Sequence, residues 1–320
     1  MYLVSLLLSV FTIIHHEELD VRGPLLIGVR NPLYLIFYDL QPDSTRLVPQ
    51  GKYSISLAFD YSNTYEVKSN DFWVQAFDME SAMTEFDFRL GLRKGIEIGF
   101  RLSMQTNWKG FMDPFIQEFH QIFHLPNGSR AQGLDNDFAF QLSDVDGHLV
   151  LNISERSISS SEVLFFRIPI TNNKNFPIIL KFSLKNSTVT YDIKHQNPVT
   201  AVELSNTYYS KKWSLHSHYG LVNLNPNDEF KALTNSQSLF IAECLEVKYK
   251  RFHIFAQISG ATPFFKDTGL NTLDKNPLNG SIGVGGQRKK TEWQICFTED
   301  LRVDGPSVDF SLNFRLKKLP

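Results

Sequence analysis

Apolar and polar side chains alternate strictly along most of the chain. From Tyr53 to Ser62 every second residue is aromatic or aliphatic, and the residues between them are small or polar. The same period of two recurs at 96–105, 292–298 and 308–316. Strict alternation places the two sets of side chains on opposite faces of a β-strand. The pattern therefore predicts strands with one apolar face and one polar face.

About twelve such segments are present, and several exceed the five or six residues usual in soluble strands. They match the roughly 9–11 residues that a tilted strand needs to cross a bilayer. We predict strands near 52–65, 72–93, 95–106, 161–170, 176–185, 199–210, 212–222, 237–249, 251–261, 280–288, 291–299 and 307–317.

The connections between these strands alternate between short and long. Short turns are expected at 93–95, 171–175, 210–212, 249–251 and 288–290, and long loops at 66–71, 107–160, 186–198, 223–236, 262–279 and 300–306. Outer-membrane barrels have short turns on the periplasmic side and long loops outside. The sequence thus predicts an all-β fold, a closed antiparallel transmembrane β-barrel of about twelve strands with a short helix in a long loop.

A secreted β-sandwich is the alternative, because its strands also alternate where one face packs inward. A sandwich predicts shorter strands and gives no reason for sorted connection lengths. In a barrel, lipid covers the apolar faces, provided that a closed ladder pairs every backbone group.

Residues 1–22 differ from the rest of the chain. The apolar run 2–14 has the length of a signal-peptide core and is followed by polar residues at 15–18. We expect a secretory signal peptide or N-terminal segment at 1–22 and one transmembrane barrel domain at 23–320. A folded N-terminal strand is the alternative for the apolar run.

The polar faces of the predicted strands would line the barrel lumen. Both charge signs occur there in similar numbers, so the side chains can pair across the lumen and narrow it. This favours a tight or gated channel over a wide pore; the alternative is that the charges only satisfy each other. The candidates for lining the lumen are Asp60, Asp87, Arg89, Glu97, Arg101, Arg167, Lys181, Glu203, His216, His218, Glu292, Asp309 and Arg315.

The longest loop contains an amphipathic helix. Asp113 is a typical N-cap, Pro114 is favoured in the first helical turn, and the helix should end at 125–128. We expect the helix to form a constriction in the barrel mouth or to lie at the membrane surface. The side chains concerned are Phe115, Phe119, His120 and Phe123.

Two local patterns predict finer detail. Glu243 shares the parity of Leu239 and other apolar residues of its strand, which predicts a bulge there. The apolar segments 138–142 and 149–153 flank a turn at 146–147, which predicts a hairpin beyond the membrane.

Composition narrows the function classes. The 32 basic and 34 acidic residues give a net charge of −2, which argues against a nucleic-acid binder. Two cysteines exclude a disulfide scaffold and a cysteine-built zinc site. His120 and His124 have metal-ligand spacing, but no third ligand is evident. We predict no metal and no cofactor; the expected partner is the lipid bilayer, with a small solute as an option and the oligomeric state open.

Several motifs resemble those of one bacterial family. They are Gly23–Leu25, Arg30–Leu33, Tyr61–Asn63, the segment from Gly110 to Gly128, and Phe297–Leu301, in this order. Together they resemble the domain-of-unknown-function 3187 family over about residues 23–316. The resemblance implies a Gram-negative envelope protein, expected to be an outer-membrane barrel. It implies no activity and no catalytic residues.

The expected function is passive transport or binding of a small solute in the outer membrane of a Gram-negative bacterium. The aromatic residues of the loop helix favour an apolar solute. An outer-membrane lipid hydrolase and a sealed structural or adhesive barrel are the alternatives. His216 and Ser217 are adjacent, so they point to opposite faces of a strand and cannot form a dyad. A dyad across two strands stays open, but we assign no catalytic residue and expect a non-enzymatic role.

Overall fold

The computed structural model describes residues 21–37, 40–123, 137–171, 173, 175–189, 197–226, 230–302, 305–306 and 308–320. The strands are β1 Tyr53–Ser69, β2 Trp73–Gly91, β3 Glu97–Trp108, β4 Ala139–Asp144, β5 Leu149–Asn152, β6 Ile158–Thr171, β7 Ile178–Val189, β8 Val199–Tyr209, β9 Trp213–Asn223, β10 Gln237–Tyr249, β11 Phe252–Ala261, β12 Leu278–Arg288, β13 Thr291–Asp300 and β14 Phe310–Lys318. The helices are α1 Pro32–Phe37, α2 Asp113–Phe123 and α3 Asn271–Asp274.

Twelve of these strands, all except β4 and β5, form one closed wall. Each wall strand pairs antiparallel with the next wall strand along the chain. The wall closes where β1 pairs with β14, from Ile55 opposite Lys318 to Asn63 opposite Phe310. The predicted twelve-stranded barrel is confirmed, and the sandwich is excluded because this ladder closes on itself.

The two faces of the wall differ as the alternation predicts. In β14, Leu312, Phe314 and Leu316 are 40–46% exposed, whereas Asn313 and Arg315 are only 3% exposed. The apolar set points away from the barrel, where hydrocarbon would cover it, and the polar set points into the lumen. Within the described residues, no helix has both the length and the hydropathy needed to cross a membrane.

The first hairpin is longer than the sequence indicated. The β1–β2 ladder runs without interruption from Tyr53 opposite Leu90 to Ser69 opposite Val74. The long loop expected at 66–71 is therefore wrong, since only residues 70–72 connect these strands. At the same end, β4 and β5 form the predicted hairpin, and β4 pairs with the extended part of β2.

The bulge expected in β10 is also wrong. The pairing of β10 with β9 and with β11 has continuous register on both sides. Glu243 instead lies on the outward face, where it accepts hydrogen bonds from Ser217 Oγ at 2.7 Å and Tyr219 Oη at 3.0 Å. Two hydroxyl donors on the neighbouring strand thus satisfy the carboxylate without any change of register.

Helix α2 lies against the outer wall and does not narrow the lumen. Phe115 contacts Phe310 and Phe119 contacts Phe297, with ring centroids 6.2 and 5.8 Å apart. Both partners belong to the outward set of their strands. Of the two placements left open by the sequence, the contacts of Phe115 and Phe119 speak against the constriction and fit a helix at the membrane surface; the side chain of Phe123 lies outside the described residues.

Polar side chains on the outer wall hold α2 in place. Glu80 accepts a hydrogen bond from the backbone N–H of Phe111 at 2.6 Å, and His120 Nε2 lies 3.3 Å from Glu299 Oε1. These carboxylates share the parity of lipid-facing residues, and the helix covers them. His124, the other histidine of the weighed metal pair, lies outside the described residues.

The N-terminal part of the described chain fills the lumen. We name residues 21–37 and 40–48 the lumen segment. Most of its apolar residues are buried, with Leu26, Leu35 and Leu47 half-buried. Its described backbone joins no wall strand until Gln50 forms a bridge with Gly91. A Cβ atom at Gly91 would overlap the Val48 carbonyl, so glycine allows the segment to leave the lumen closely against β2.

Candidate functional site

The lumen has two halves with different chemistry. The loop end, where the long connections lie, holds a large apolar cluster around α1. The short-turn end holds a network of buried ion pairs. The lumen segment passes through both halves, so it determines what the barrel interior can admit.

Local sequence explains the shape of the segment at the loop end. Asn31 caps α1, because its side-chain oxygen accepts a hydrogen bond from the backbone N–H of Leu33 at 2.9 Å. Pro32 follows at the first helical position, where its missing N–H costs nothing. Tyr34 and Phe37 then face the surrounding aromatic residues.

Two of the long loops, one containing Phe230 and the other containing Phe264 and Phe265, fold inward onto α1. Tyr34 stacks on Phe264 with ring centroids 4.4 Å apart. Phe37 makes edge contacts with Phe230 at 5.5 Å and with Phe265 at 5.8 Å. These loop residues and α1, rather than α2, close the loop end of the lumen.

Beside α1, the wall leaves a cavity of about 40 Å³, enough for about three water molecules. Its polar side is formed by serines and amides of β3 and β6, together with Lys185 of β7. Lys185 Nζ donates a hydrogen bond to the carbonyl of Leu35 at 2.6 Å and so ties α1 to the wall.

The short-turn end contains a connected network of charged side chains. Five cations and five carboxylates lie within ion-pair distance of one another in a continuous chain of contacts. They are Arg89, Arg101, Arg167, Lys181 and Arg315, and Asp43, Glu85, Asp87, Glu97 and Glu203. All ten are at most 4% exposed, and such burial is tolerated only because each charge has partners.

Asp43 is the member of this network that the lumen segment contributes. Its Oδ1 accepts a hydrogen bond from Arg89 Nη1 at 2.9 Å. Its Oδ2 lies 3.7 Å from Arg167 Nε and 3.8 Å from Lys181 Nζ. The wall side chains come from β2, β6 and β7, so one carboxylate of the segment bridges three wall strands.

The wall also binds the backbone and one hydroxyl group of the lumen segment. Glu246 accepts hydrogen bonds from the N–H groups of Arg22 at 2.8 Å and Gly23 at 3.2 Å. Thr45 Oγ1 lies 2.8 Å from Thr207 Oγ1, and Arg167 donates to the carbonyl of Ser44. Most of these contacts are hydrogen bonds that water can replace.

The candidates from the sequence lie where alternation places them, on the inner side of the wall. Eight of the thirteen belong to the charged network, and His218 contacts it through Glu203. Asp60 pairs with Arg30 at 3.3 Å, and Glu292 pairs with Arg46 at 2.9 Å. Asp309 is only partly buried and lies apart from the network, at the loop end of β14.

His218 lies between a hydroxyl and a carboxylate. Its Nδ1 is 2.9 Å from Ser205 Oγ and its Nε2 is 3.1 Å from Glu203 Oε2. This is the cross-strand grouping that the sequence left open. Glu203 also binds Lys181 at 3.2 Å, and Ser205 is 2% exposed on the inner face. The serine therefore faces the filled lumen and not the lipid.

His216 has a parallel set of neighbours. Its Nδ1 lies 3.0 Å from Thr207 Oγ1, and its Nε2 lies 2.9 Å from Glu246 Oε2. Each of the two histidines thus lies between a hydroxyl group and a carboxylate: Ser205 and Glu203 for His218, and Thr207 and Glu246 for His216. This repeated arrangement indicates that the histidines connect wall strands. Glu246 in turn holds the lumen segment, as described above.

Sequence reasoning missed the lumen segment and the apolar half of the lumen. The cap Asn31–Pro32 is a readable helix signal, but nothing in it specifies docking inside a barrel. The apolar half has a weak signal, because Phe77, Met79 and Phe240 carry the inner parity of their strands. Beside Phe240 the outward residues Leu239 and Ile241 are also apolar, which hides the alternation, whereas beside Phe77 and Met79 the outward residues Asp78 and Glu80 are charged, which reverses it.

Comparison of structures supports the barrel architecture. The COG4313 outer membrane channel from Pseudomonas putida F1 is similar with a TM-score of 0.57 and 11% identity, over 88% of this chain and 100% of that chain. The KdgM porin matches with a TM-score of 0.42 and 8% identity, over 82% and 98%. The P. putida toluene transporter TodX matches with 0.39 and 7%, over 84% and 90%. Only the first likeness is close enough to bear on the fold.

Sequence comparison gives the family. No curated protein matches the chain in sequence. A family model described as "Protein of unknown function (DUF3187)" matches residues 2–318, and its fold here is an outer-membrane-type β-barrel. The chain therefore belongs to the DUF3187 family.

Proposed function

We propose that this protein is a gated channel of the Gram-negative outer membrane, through which a small solute with an apolar part passes when the lumen segment moves. The observation that carries the proposal is that residues 21–37 and 40–48 occupy a lumen whose wall closes without them. The signal peptide or N-terminal segment expected at 1–22 remains part of this proposal, since export must precede insertion; a signal peptide would end before residue 21, because Arg22 binds the wall. Residues 1–20 lie outside the described residues.

The contacts of the segment favour a movable closure over a permanent seal. At the short-turn end they are mainly hydrogen bonds and ion pairs, which water can replace when the segment moves. A lumen that only needed filling would be at least as stable with apolar side chains, since buried ion pairs rarely add net stability. The apolar half at the loop end would receive the apolar part of a solute.

The resemblance in fold to a protein described as an outer membrane channel agrees with this role but carries no specificity. The lipid hydrolase is disfavoured, because Ser205 and His218 face the filled lumen rather than the membrane. No second function has an observation of comparable weight.

A reversible cross-link tests the gating. Thr45 and Thr207 have hydroxyl oxygens 2.8 Å apart, so Thr45→Cys combined with Thr207→Cys should form a disulfide that fixes the segment to β8. In planar bilayers we expect current from the reduced double variant and loss of that current on oxidation. The single variants Thr45→Cys and Thr207→Cys serve as controls and should not respond.

Equal currents before and after oxidation, with the cross-link verified by mass, would exclude gating by the lumen segment. Absence of current from the wild-type protein and from the reduced variant would instead favour the sealed barrel.

A further inference from the structure

We propose that Arg89, Arg167 and Lys181 form a binding site for the carboxylate of a small organic acid, and that Asp43 occupies this site as a built-in substitute for the ligand. The inference rests on the proposed function, because it names the class of solute that the channel would take.

Charge balance is the first support. In the network described above, the wall supplies five cations but four carboxylates, and Asp43 supplies the fifth. When the lumen segment moves away, this network keeps five cations and four carboxylates around the place of Asp43, while Asp60 and Glu292 elsewhere on the wall lose Arg30 and Arg46. This local excess of positive charge attracts an anion that enters the opened lumen.

Incomplete contacts are the second support. Asp43 makes a close hydrogen bond with Arg89, but Arg167 Nε and Lys181 Nζ stay 3.7 and 3.8 Å away. Arg167 Nε is a buried donor without a hydrogen-bond partner among the described residues. A free carboxylate is not tethered to a backbone, so it can approach these donors more closely than Asp43 does.

The surroundings indicate the rest of the ligand. Phe165 lies within the site, with its ring centroid 5.3 Å from the Arg89 guanidinium and 5.0 Å from Lys181 Nζ. The apolar half of the lumen begins on the loop side of these cations. The lumen segment has the same order, an apolar helix and then Asp43. This order fits an acid with an apolar body better than an inorganic anion.

Binding can be measured without relying on current. Full-length protein in detergent micelles is dialysed to equilibrium against radiolabelled benzoate, for the wild type, Asp43→Asn and Asp144→Asn. Asp144 is a carboxylate of the β4–β5 hairpin, far along the chain from the network, and gives the same chemical change as a control. We expect Asp43→Asn to bind one benzoate with at least tenfold higher affinity than either the wild type or Asp144→Asn.

Competitors identify the chemistry. Benzyl alcohol keeps the ring but lacks the charge, and we expect it not to displace benzoate. Inorganic phosphate should displace benzoate only at much higher concentration. Asp43→Glu restores the charge and should return binding to the wild-type level, which separates a site effect from poor folding of the asparagine variant.

Equal benzoate binding by Asp43→Asn and Asp144→Asn would overturn the proposal, as would displacement by benzyl alcohol. Displacement by phosphate as effective as by benzoate itself would overturn the organic acid in favour of a general anion site. These outcomes are independent of the cross-link experiment, so the channel and its ligand class can fail separately.

Discussion

The two halves of the lumen are closed by different physical means. At the loop end, apolar side chains of α1, of the wall and of the inward loops exclude water together. At the short-turn end, ten charged side chains compensate one another in a space with little water. The same segment is thus held by nonspecific packing in one half and by specific ion pairs and hydrogen bonds in the other. Substitutions should therefore have different consequences in the two halves.

The largest effect is expected from removing a charge in the short-turn half. Arg167→Met leaves Glu97 without the cation whose Nη1 lies 2.6 Å from it, and removes one of the three cations around Asp43. Buried unpaired charges cost about 4 kcal/mol when one partner is removed. Urea unfolding in detergent should show this loss, with Arg93→Met in an exposed turn as the control. A loss below 1 kcal/mol would mean that water reaches this network freely.

A comparable change in the apolar half should loosen the segment while sparing the wall. Phe37→Ala removes a side chain that is 1% exposed among three aromatic rings. We expect α1 to lose about 3 kcal/mol of packing free energy. Hydrogen exchange should accelerate in residues 32–37 and stay unchanged in the β1–β14 ladder. Uniform acceleration in both would show that the segment is an integral part of the barrel core.

Neutral hydrogen bonds in the short-turn half should matter less than charges. Thr45→Val removes contacts with Thr207 at 2.8 Å and with Tyr209 at 3.1 Å, at a cost of about 1 kcal/mol. We expect a modest rise in channel opening frequency in bilayers. A loss of unfolding free energy as large as that of Arg167→Met would show that neutral hydrogen bonds stabilise this half as much as the ion pairs do.

The smallest effect tests whether His218 has a role beyond joining strands. Ser205→Ala removes the hydroxyl near His218 Nδ1 and should leave phospholipid composition in the membrane unchanged. Lipid extracts from cells with wild-type protein, with the variant and without protein should be identical. Lipid turnover that requires Ser205 would restore the hydrolase.

The period of two along the chain is enough to predict the wall. Alternation such as that from Tyr53 to Ser62 depends only on the geometry of a strand, in which neighbouring side chains point to opposite faces. The many outward apolar side chains require lipid to cover them. The alternation of short turns with long loops indicates the topology of a membrane barrel. The inner position of Arg89 and Arg167 follows from the same parity rule.

Tertiary structure alone decided which charges meet, what fills the lumen and where α2 lies. Asp43 contacts Arg167 across more than a hundred residues of sequence, and no local periodicity encodes that distance. Glu80 and Glu243 both lie on the outward face of their strands. Helix α2 covers Glu80, whereas Ser217 and Tyr219 on the neighbouring strand donate hydrogen bonds to Glu243. Parity specifies the face of a strand on which a side chain lies, whereas packing in three dimensions selects its partner.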